Sequence, residues 1–334
     1  MRKLLLPILG TLSLSISASA QVEYATSVVS FNQGGGSGLF DPALILGGPR
    51  GGAGTHVLTL GTGGDVTLDF DVTLTDGPGA DFIVYENGFE FGGLIFPEMA
   101  MVDVSSNGVD FARFPMRYDG PQGPFASSFE LLPWGSYSGL TGMVPPVANV
   151  DTNSIDPLNP VLAGGEAFDL ADLHDHPLVS MGLVDLNAIE FVRLVDLIAG
   201  NEVDTRFVTI WDSGGVDGNA DIDSVAVINH TGNQNVHGPT IDLRRDPLGY
   251  IWLEISDPDG FSDINLGTLQ LSVNLQPLSF SRLRDFFILD HAGPAGLVLR
   301  TPLPVILEDF QAVLAVSVED TSGLFSTDQI SLNR

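Results

Sequence analysis

Short apolar runs separated by polar turns fill nearly the whole chain. Val, Ile, Leu and Phe cluster in runs of about five residues, and Gly, Asp, Pro and Asn occupy the segments between them. This spacing is typical of an all-β sandwich or jelly roll. The runs predicted as strands before residue 230 are His56–Leu60, Asp65–Phe70, Asp81–Tyr85, Ala100–Ser105, Ile189–Val195, Phe207–Trp211 and Ser224–Ile228. Only Gly164–Leu173 and Pro177–Asn187 have a weak helical pattern.

The strand pattern stops at a polar segment, residues 230–237, and then restarts. Such a segment predicts a linker between two domains, residues 21–229 and 238–334. The strand-like runs of the second block are Thr240–Leu243, Tyr250–Ile255, Thr268–Val273, Phe286–Leu289, Leu297–Leu299, Gln311–Val318 and Gln329–Leu332. Their number and the block length favour an immunoglobulin-like (Ig-like) sandwich, here without a disulfide because the chain has no cysteine. The predicted fold is therefore all-β, a jelly-roll-like sandwich followed by an Ig-like sandwich.

The first twenty residues have the pattern of a signal peptide. Arg2 and Lys3 precede an apolar stretch, Leu4–Leu14, and Ala18-Ser-Ala20 supplies small residues for cleavage. We therefore expect residues 1–20 to be removed and the mature protein to be secreted, either extracellular or periplasmic. The apolar stretch is too short to span a membrane, and no later segment of that length lacks charges.

The charge of the chain excludes some partners. Its formal net charge is −29, from 42 acidic residues against 13 basic ones. Such an acidic protein is a poor ligand for nucleic acid or for an anionic membrane. A hydrophobic content of 44% is nevertheless sufficient for a core. An excess of aspartate is typical of loop-rich β proteins, of proteins from salt-rich habitats and of proteins that bind cations.

Two loops place oxygen ligands next to apolar runs. One is Asp76-Gly-Pro-Gly-Ala-Asp81, followed after the apolar run by Glu86 and Asn87; the other is Asp217-Gly-Asn-Ala-Asp221-Ile-Asp223. Hard cations such as Ca²⁺ prefer carboxylate and carbonyl oxygens on loops. We expect these residues to converge on one Ca²⁺. The alternative is that the aspartates only stabilise turns by accepting hydrogen bonds from their own backbone.

A third acidic loop lies in the C-terminal block. Asp257, Asp259 and Asp263 surround a glycine, in partial imitation of an EF-hand loop that lacks its terminal glutamate and its helices. In an Ig-like fold this loop shares an end of the sandwich with Glu319-Asp320. The three aspartates are predicted metal ligands, with an ordinary type I turn as the alternative.

The long stretch Tyr118–Gly165 has little periodicity but several aromatic residues. Loops of this length are usually functional or packed as insertions. Trp134 and Tyr137 are the predicted ligand-binding residues, because Trp and Tyr offer large, rigid contact surfaces for sugars or proteins. The alternative is that these rings fasten the insertion onto the sandwich.

Catalytic motifs are absent from the sequence. It has no Cys, no Gly-x-Ser-x-Gly segment and no glycine-rich loop that precedes a helix. We predict a calcium-stabilised binding or structural module, with a glycan or another surface protein as partner. The alternative is a secreted polysaccharide hydrolase or lyase, since so many carboxylates can supply an acid and a base.

Several segments together resemble one family of bacterial proteins. They are Asp41-Pro, Leu46–Arg50, Thr59–Gly64, Asp76–Gly88, Val102–Phe111, Ala163–Leu170 and Asp221–Ala226. Residues 24–229 are similar to the bacterial "cell surface protein" family, whose hallmark is a D-G-x-G-x-D-F-x-V-F-E-N-G segment, with Tyr85 here in place of Phe. The resemblance implies secretion and a β-rich, galactose-binding-like fold, but no activity. The C-terminal block is similar in a general way to bacterial Ig-like or cadherin-like modules.

Overall fold

The computed structural model describes residues 23–51, 56–125, 129–212, 219–231, 238–306 and 311–332. The predicted signal peptide, Asp217 and residues 232–237 of the predicted linker lie outside these ranges. Within them the protein is all-β, with antiparallel sheets and a few short helices. No helix in the described ranges is long and apolar enough to cross a membrane.

The described residues of the N-terminal part form thirteen strands, of which nine belong to one sheet. They are β1 (Glu23–Asn32), β2 (Leu58–Thr59), β3 (Asp65–Leu74), β4 (Phe82–Glu86), β5 (Phe89–Phe91), β6 (Leu94–Phe96), β7 (Ala100–Ser105), β8 (Ala112–Arg113), β9 (Arg117–Tyr118), β10 (Tyr137–Ser138), β11 (Glu166–Phe168), β12 (Ile189–Asp196) and β13 (Asp221–Val227). The large sheet has the order β11-β4-β13-β1-β3-β12-β7-β8, with β2 also paired to β13.

Strand β1 bends this sheet so that it folds over its own core. Its first residues pair with β13 and the remainder with β3, and the β3 ladder is interrupted between Ala25 and Ser27 and again between Val28 and Ser30. Such bulges bend a strand and increase its twist. As a result Val84 of β4 and Val104 of β7, which are far apart in the sheet order, share one hydrophobic cluster.

Strands β4 and β13 are buried along almost their whole length. A strand with one solvated face alternates, so continuous burial means that both faces are covered. The Tyr118–Gly165 insertion supplies the second cover, because Leu158 and Ala163 pack against Ile83 and Tyr85. The Tyr85 hydroxyl also donates a hydrogen bond to the Pro157 carbonyl.

The C-terminal part consists of two four-stranded sheets. Their strands are β14 (Thr240–Arg245), β15 (Ile251–Ser256), β16 (Ile264–Val273), β17 (Gln276–Pro277), β18 (Ile288–Ala292), β19 (Gly296–Arg300), β20 (Ala312–Asp320) and β21 (Phe325–Leu332). One sheet has the order β14-β15-β19-β18 and the other β17-β16-β20-β21. Leu253 of the first sheet and Val316 of the second belong to one core cluster, so the sheets pack as a sandwich.

The two parts contact each other directly. Ala80 donates its backbone N–H to Thr327 O at 2.9 Å, and Ala167 donates to Gln329 Oε1 at 2.9 Å. Val313 of β20 is a member of a hydrophobic cluster that otherwise comes from the N-terminal part. The parts therefore share polar and apolar contacts in addition to the covalent connection.

Helices in the described ranges are few and short, as the sequence predicts, but the predicted helical run Gly164–Leu173 contains strand β11 and only a 3-10 helix at its end. The α-helices are α1 (Pro160–Ala163), α2 (Pro177–Ser180) and α3 (Phe280–Phe286), and two 3-10 helices cover Pro42–Ile45 and Leu170–Leu173. Two strand predictions were wrong. Phe286 ends α3, whose N-cap is Ser279, so the strand β18 begins only at Ile288. Phe207–Trp211 forms a loop whose only ladder contact is a bridge between Thr209 and Val203.

Candidate functional site

Strand β4 separates the residues predicted to share one Ca²⁺. Asp81 precedes the strand and Glu86 ends it, so about 16 Å of extended chain lies between them. Because β13 runs antiparallel, Ile222 pairs with Glu86, and Asp221 lies near Glu86 and far from Asp81. The prediction that one ion contacts all of these residues was therefore wrong, for the physical reason that five strand residues exceed the diameter of a coordination shell.

At one end of β4, Asp81 forms a cluster with Asp76 and Asp169. One carboxylate oxygen from each lies within 4.8 Å of the others. Asp81 is fully buried, and both of its oxygens accept hydrogen bonds. Oδ1 accepts from Gly77 N at 2.8 Å and from Asn229 Nδ2 at 2.9 Å, and Oδ2 accepts from Leu170 N at 2.7 Å. The bond from Gly77 N is the one that the turn-forming interpretation predicts, and the other two tie this turn to distant segments of the chain.

The other two carboxylates of the Asp81 cluster also have polar partners. Asp76 Oδ2 pairs with His174 Nε2 at 2.7 Å, and Asp169 accepts a hydrogen bond from Ala171 N at the start of a 3-10 helix. Burial raises the pKa of Asp81 to about 8 and that of Asp169 to about 9. The sequence analysis did not select Asp169, although it lies in the Ala163–Leu170 segment that carries the family resemblance.

At the other end of β4, Glu86 lies among further carboxylates. Gly88 N donates to Glu86 Oε2 at 2.9 Å, and Asn87 donates its backbone N–H to Asp221 O at 3.0 Å. Burial and the neighbouring Glu98 raise the pKa of Glu86 well above its usual value. Glu98, whose pKa is also raised by burial and then by Asp221, was not selected from the sequence, because no ligand spacing marks it.

Asp223 belongs neither to the Asp81 cluster nor to the carboxylates around Glu86. Its carboxylate accepts hydrogen bonds from the backbone N–H of Arg50 at 3.0 and 2.9 Å. Burial raises the pKa of Asp223 to about 6, against the lowering effect of these bonds. Asp221 and Asp223 are two residues apart on a strand, but the bulge between Ile222 and Ser224 gives them different surroundings.

The C-terminal loop brings together two of its three predicted ligands. Oxygens of Asp257 and Asp263 lie within 4.8 Å of each other and of an oxygen of Asp320, which ends β20. Asp259 is exposed and lies outside this group, because the turn directs only its backbone N–H toward Asp257, at 2.8 Å. The expectation that Glu319-Asp320 approaches the loop holds for Asp320.

Trp134 and Tyr137 are buried, so the prediction that they form a contact surface was wrong. Trp134 is 5% exposed and Tyr137 is 0% exposed, and both lie in a hydrophobic cluster with Met143 and Leu140. The Tyr137 hydroxyl donates to Thr141 O at 2.9 Å. These rings fasten the insertion to the sheet, which was the alternative interpretation.

Other aromatic side chains of this region are exposed. Phe89 and Phe91 lie on the β5–β6 hairpin and are 41% and 66% exposed. Phe129 stacks on Phe96 with 4.5 Å between the ring centroids, and Phe89 lies 5.1 Å from Phe96. The hairpin thus presents a small apolar surface that the sequence pattern did not reveal.

A groove runs along the junction of the two parts. It contains three cavities of about 360, 390 and 370 Å³ that share lining residues. The first two share Phe114, Met116 and Thr205, and the first and third share Gln329 and Ile330. Asp172 lines all three cavities, so they adjoin one another at this residue, and the walls of the first and third come from both parts of the chain.

The groove is lined by polar groups of both charges. Arg117, Glu166 and Ser331 line the first cavity, and Asp242 and Arg244 line the third. Burial raises the pKa of Asp172. This arrangement supplies hydrogen-bond donors and acceptors to a bound molecule. The lining carboxylates outnumber the lining arginines: they are Glu166, Asp169, Asp172, Asp175, Asp242 and Asp328 against Arg113, Arg117 and Arg244.

Comparison with known proteins adds no family to this description. No protein-family model matches the chain, and no curated protein matches it. The acidic clusters and the groove are therefore the observations from which a function can be inferred.

Proposed function

We propose that the protein is a secreted extracellular binding module whose groove, between the two parts of the chain, holds a polar glycan. The observation that carries the proposal is the group of three adjoining cavities, which share Asp172 and of which the first and third have walls from both parts. Ligand sites occur preferentially at such junctions. The proposal includes a jelly-roll-like N-terminal sandwich, an Ig-like C-terminal sandwich and membership of the cell surface protein family.

The shape of the groove favours an elongated ligand. Each cavity is near the lower limit for a small-molecule site, whereas the connected cavities span the usual range. A chain of sugar rings fits this geometry, because each cavity can hold part of it. Aromatic stacking is a minor contribution here, since the lining rings of Phe114, Phe168 and Tyr137 are almost completely buried.

The charge of the protein favours a neutral glycan. With a net charge of −29, the surface repels polyanions at long range. Within the groove, Arg117 and Arg244 can donate to sugar hydroxyls, while Asp172 and Gln329 can accept from them. Hydroxyl groups use donors and acceptors alike, which suits a lining of both kinds.

A glycan array followed by titration calorimetry tests this proposal. Arg117→Ala and Asp172→Asn should each weaken binding of the best glycan at least tenfold, about 1.4 kcal/mol. Arg282→Ala and Asp285→Asn are matched controls, because both residues are exposed on α3 and neither lines the groove. Equal affinity of all four variants would place the glycan elsewhere, and the exposed Phe91 would then be the next position to test.

Calcium stabilisation is a second component of the proposal. Glu86, Glu166, Asp196 and Asp221 are buried or half-buried, and none of them forms an ion pair in the described part of the chain. Carboxylates in such a setting repel one another unless protons or cations neutralise them. We expect a higher melting temperature in Ca²⁺ than in chelator. Identical melting in both, with no metal found by elemental analysis, would contradict this component.

A hydrolase is the second candidate, and Asp172 is the observation that favours it. A carboxyl group with a raised pKa inside a glycan groove has the property required of a general acid. The hydrolase hypothesis predicts release of reducing ends from a polysaccharide and loss of this activity in Asp172→Asn. Tight glycan binding without any release would leave the binding module as the function.

A further inference from the structure

The loop of residues 257–263 joins the two sheets of the C-terminal sandwich. It follows β15 of one sheet and leads into β16 of the other. Asp257 N donates to Ala295 O beside β19, whereas Ile264 pairs with Asp320 at the end of β20. Asp257 is thus attached to one sheet and Asp320 to the other, and the loop brings their side chains together.

The spacing of the three carboxylates matches the size of one cation. Oxygens of Asp257, Asp263 and Asp320 all lie within 4.8 Å of one another. In protein sites Ca²⁺ lies 2.3–2.6 Å from its oxygens, so ligands on opposite sides of the ion are about 5 Å apart. A single ion between the three side chains can therefore contact all of them.

An independent observation marks this cluster as incomplete. The Asp257 side chain is buried, with the residue 2% exposed. Its Oδ1 accepts a hydrogen bond from Asp259 N, but its Oδ2 is buried and has no hydrogen-bond partner in the described part of the chain. Buried polar atoms without partners are rare in folded proteins, and a bound water or ion is a usual explanation.

The surroundings add negative charge and no compensating cation. Asp320 is also 2% exposed, and its Oδ1 accepts from Ser322 N and Leu324 N, both at 2.8 Å. Asp263 accepts from the Thr321 hydroxyl. None of the three carboxylates forms an ion pair within the ranges that the structure describes. Burial, followed by the charges of Asp263 and Asp320, raises the pKa of Asp257.

We propose that Asp257, Asp263 and Asp320 bind one Ca²⁺ that ties the two sheets of the C-terminal sandwich together. An all-oxygen ligand set on a loop and a turn suits Ca²⁺, whereas Zn²⁺ prefers nitrogen and sulfur, and Mg²⁺ demands a stricter octahedron. Water and backbone carbonyls complete the shell. This inference rests on the calcium component of the proposed function and is independent of the glycan groove.

Calorimetric titration of the mature full-length chain with Ca²⁺ tests the site. Asp257→Asn and Asp320→Asn should each lose one calcium equivalent or bind it at least tenfold more weakly. Asp259→Asn is the matched control, because it removes the same charge from the same loop at an exposed position outside the cluster. It should retain the wild-type stoichiometry. Excess Mg²⁺ should not displace the bound Ca²⁺.

The melting temperature in chelator is a second measurement, because the metal site and a merely structural carboxylate predict changes of opposite sign. Without metal, Asp257→Asn removes one charge from a crowded cluster, so this variant should melt above the wild type in chelator and gain less from Ca²⁺ than the wild type does. A carboxylate that is merely structural predicts the opposite, a lower melting temperature in chelator. If Asp257→Asn fails to fold, Asp263→Asn, at a less buried position, provides the same comparison.

The outcomes separate the site from the broader proposal. A calcium stoichiometry and affinity that stay unchanged in Asp257→Asn, Asp263→Asn and Asp320→Asn would overturn this site and leave calcium stabilisation in place. A wild type that binds no Ca²⁺ would overturn both. Neither result changes the glycan titration, which tests the groove alone.

Discussion

The two aspartate clusters have similar composition but different hydrogen bonding. In the N-terminal cluster, both oxygens of the buried Asp81 accept hydrogen bonds from three separate segments, and Asp76 is paired with His174. In the C-terminal cluster, the buried Asp257 has one oxygen without a hydrogen-bond partner among the residues that the structure describes. Three carboxylates lie within 4.8 Å of one another in both cases.

The difference shows that crowding of carboxylates alone does not define a metal site. A carboxylate whose oxygens accept hydrogen bonds from N–H groups is compensated in part for the loss of water, although burial still raises the pKa of Asp81. A buried oxygen without a donor has not been compensated, so a cation there replaces a missing interaction. We therefore interpret the Asp81 cluster as a structural joint and the Asp257 cluster as the ion site.

The largest loss of stability is expected from removal of the Asp81 carboxylate. Asp81→Ala leaves Gly77 N, Leu170 N and the Asn229 amide without their acceptor, and we expect a loss of about 3–5 kcal/mol in the free energy of unfolding. Urea unfolding in Ca²⁺ and in chelator measures it, and the loss should be equal in the two conditions. Asp71→Ala, at an exposed position, is the control. A loss seen only in Ca²⁺ would reverse our assignment of the two clusters.

An intermediate loss of stability is expected when the pH is raised in the presence of chelator. The folded-state pKa values of Asp81 and Asp169 are about 8 and about 9, well above the usual value near 3.9 for an unfolded chain. Between these limits Asp81 and Asp169 bind more protons in the folded state than in the unfolded chain. Their contribution to stability is therefore fully present below about pH 4 and is lost as the pH rises through 8 and 9. We expect the melting temperature to fall by about 5 °C or more between pH 5 and pH 9. Asp169→Asn should reduce this fall, and an unchanged slope would contradict the origin we assign to it.

The smallest effect is expected at the histidine of the N-terminal cluster. His174 pairs with Asp76, but 61% of its side chain is exposed to solvent. Exposed pairs contribute little, so His174→Ala should change the free energy of unfolding by less than about 1 kcal/mol. Chemical denaturation at pH 6 measures it. A much larger loss would mean that the histidine holds the cluster together and that Asp81 alone does not.

Part of the fold could be predicted because it depends on local patterns. Strand β7 matches its predicted range, Ala100–Ser105, and the predicted run Tyr250–Ile255 covers most of β15. Apolar runs bounded by turn residues specify strands without long-range information. The helix α3 was not recognised, because the apolar residues near Phe286 also fit a strand and the short run offers no period to separate the two.

The candidate sites could be predicted only in part. Aspartates in turns mark where oxygen ligands can lie, and Asp257 with Asp263 was selected in this way. Asp320 and Asp169 joined their clusters through pairing between strands that are distant in sequence. The groove could not be predicted at all, since its lining comes from segments as far apart as Arg113 and Ser331.

The sequence by itself determined the all-β class and the loops on which the aspartates lie, because turn propensity and apolar periodicity are properties of neighbouring residues. Tertiary structure alone decided which side chains meet. Antiparallel pairing placed Asp221 beside Glu86 and away from Asp81. Packing of the insertion buried Trp134 and Tyr137. The same acidic residue type therefore forms a structural joint in one place and leaves an unpaired oxygen in another, according to which backbone N–H groups the fold brings within hydrogen-bonding distance.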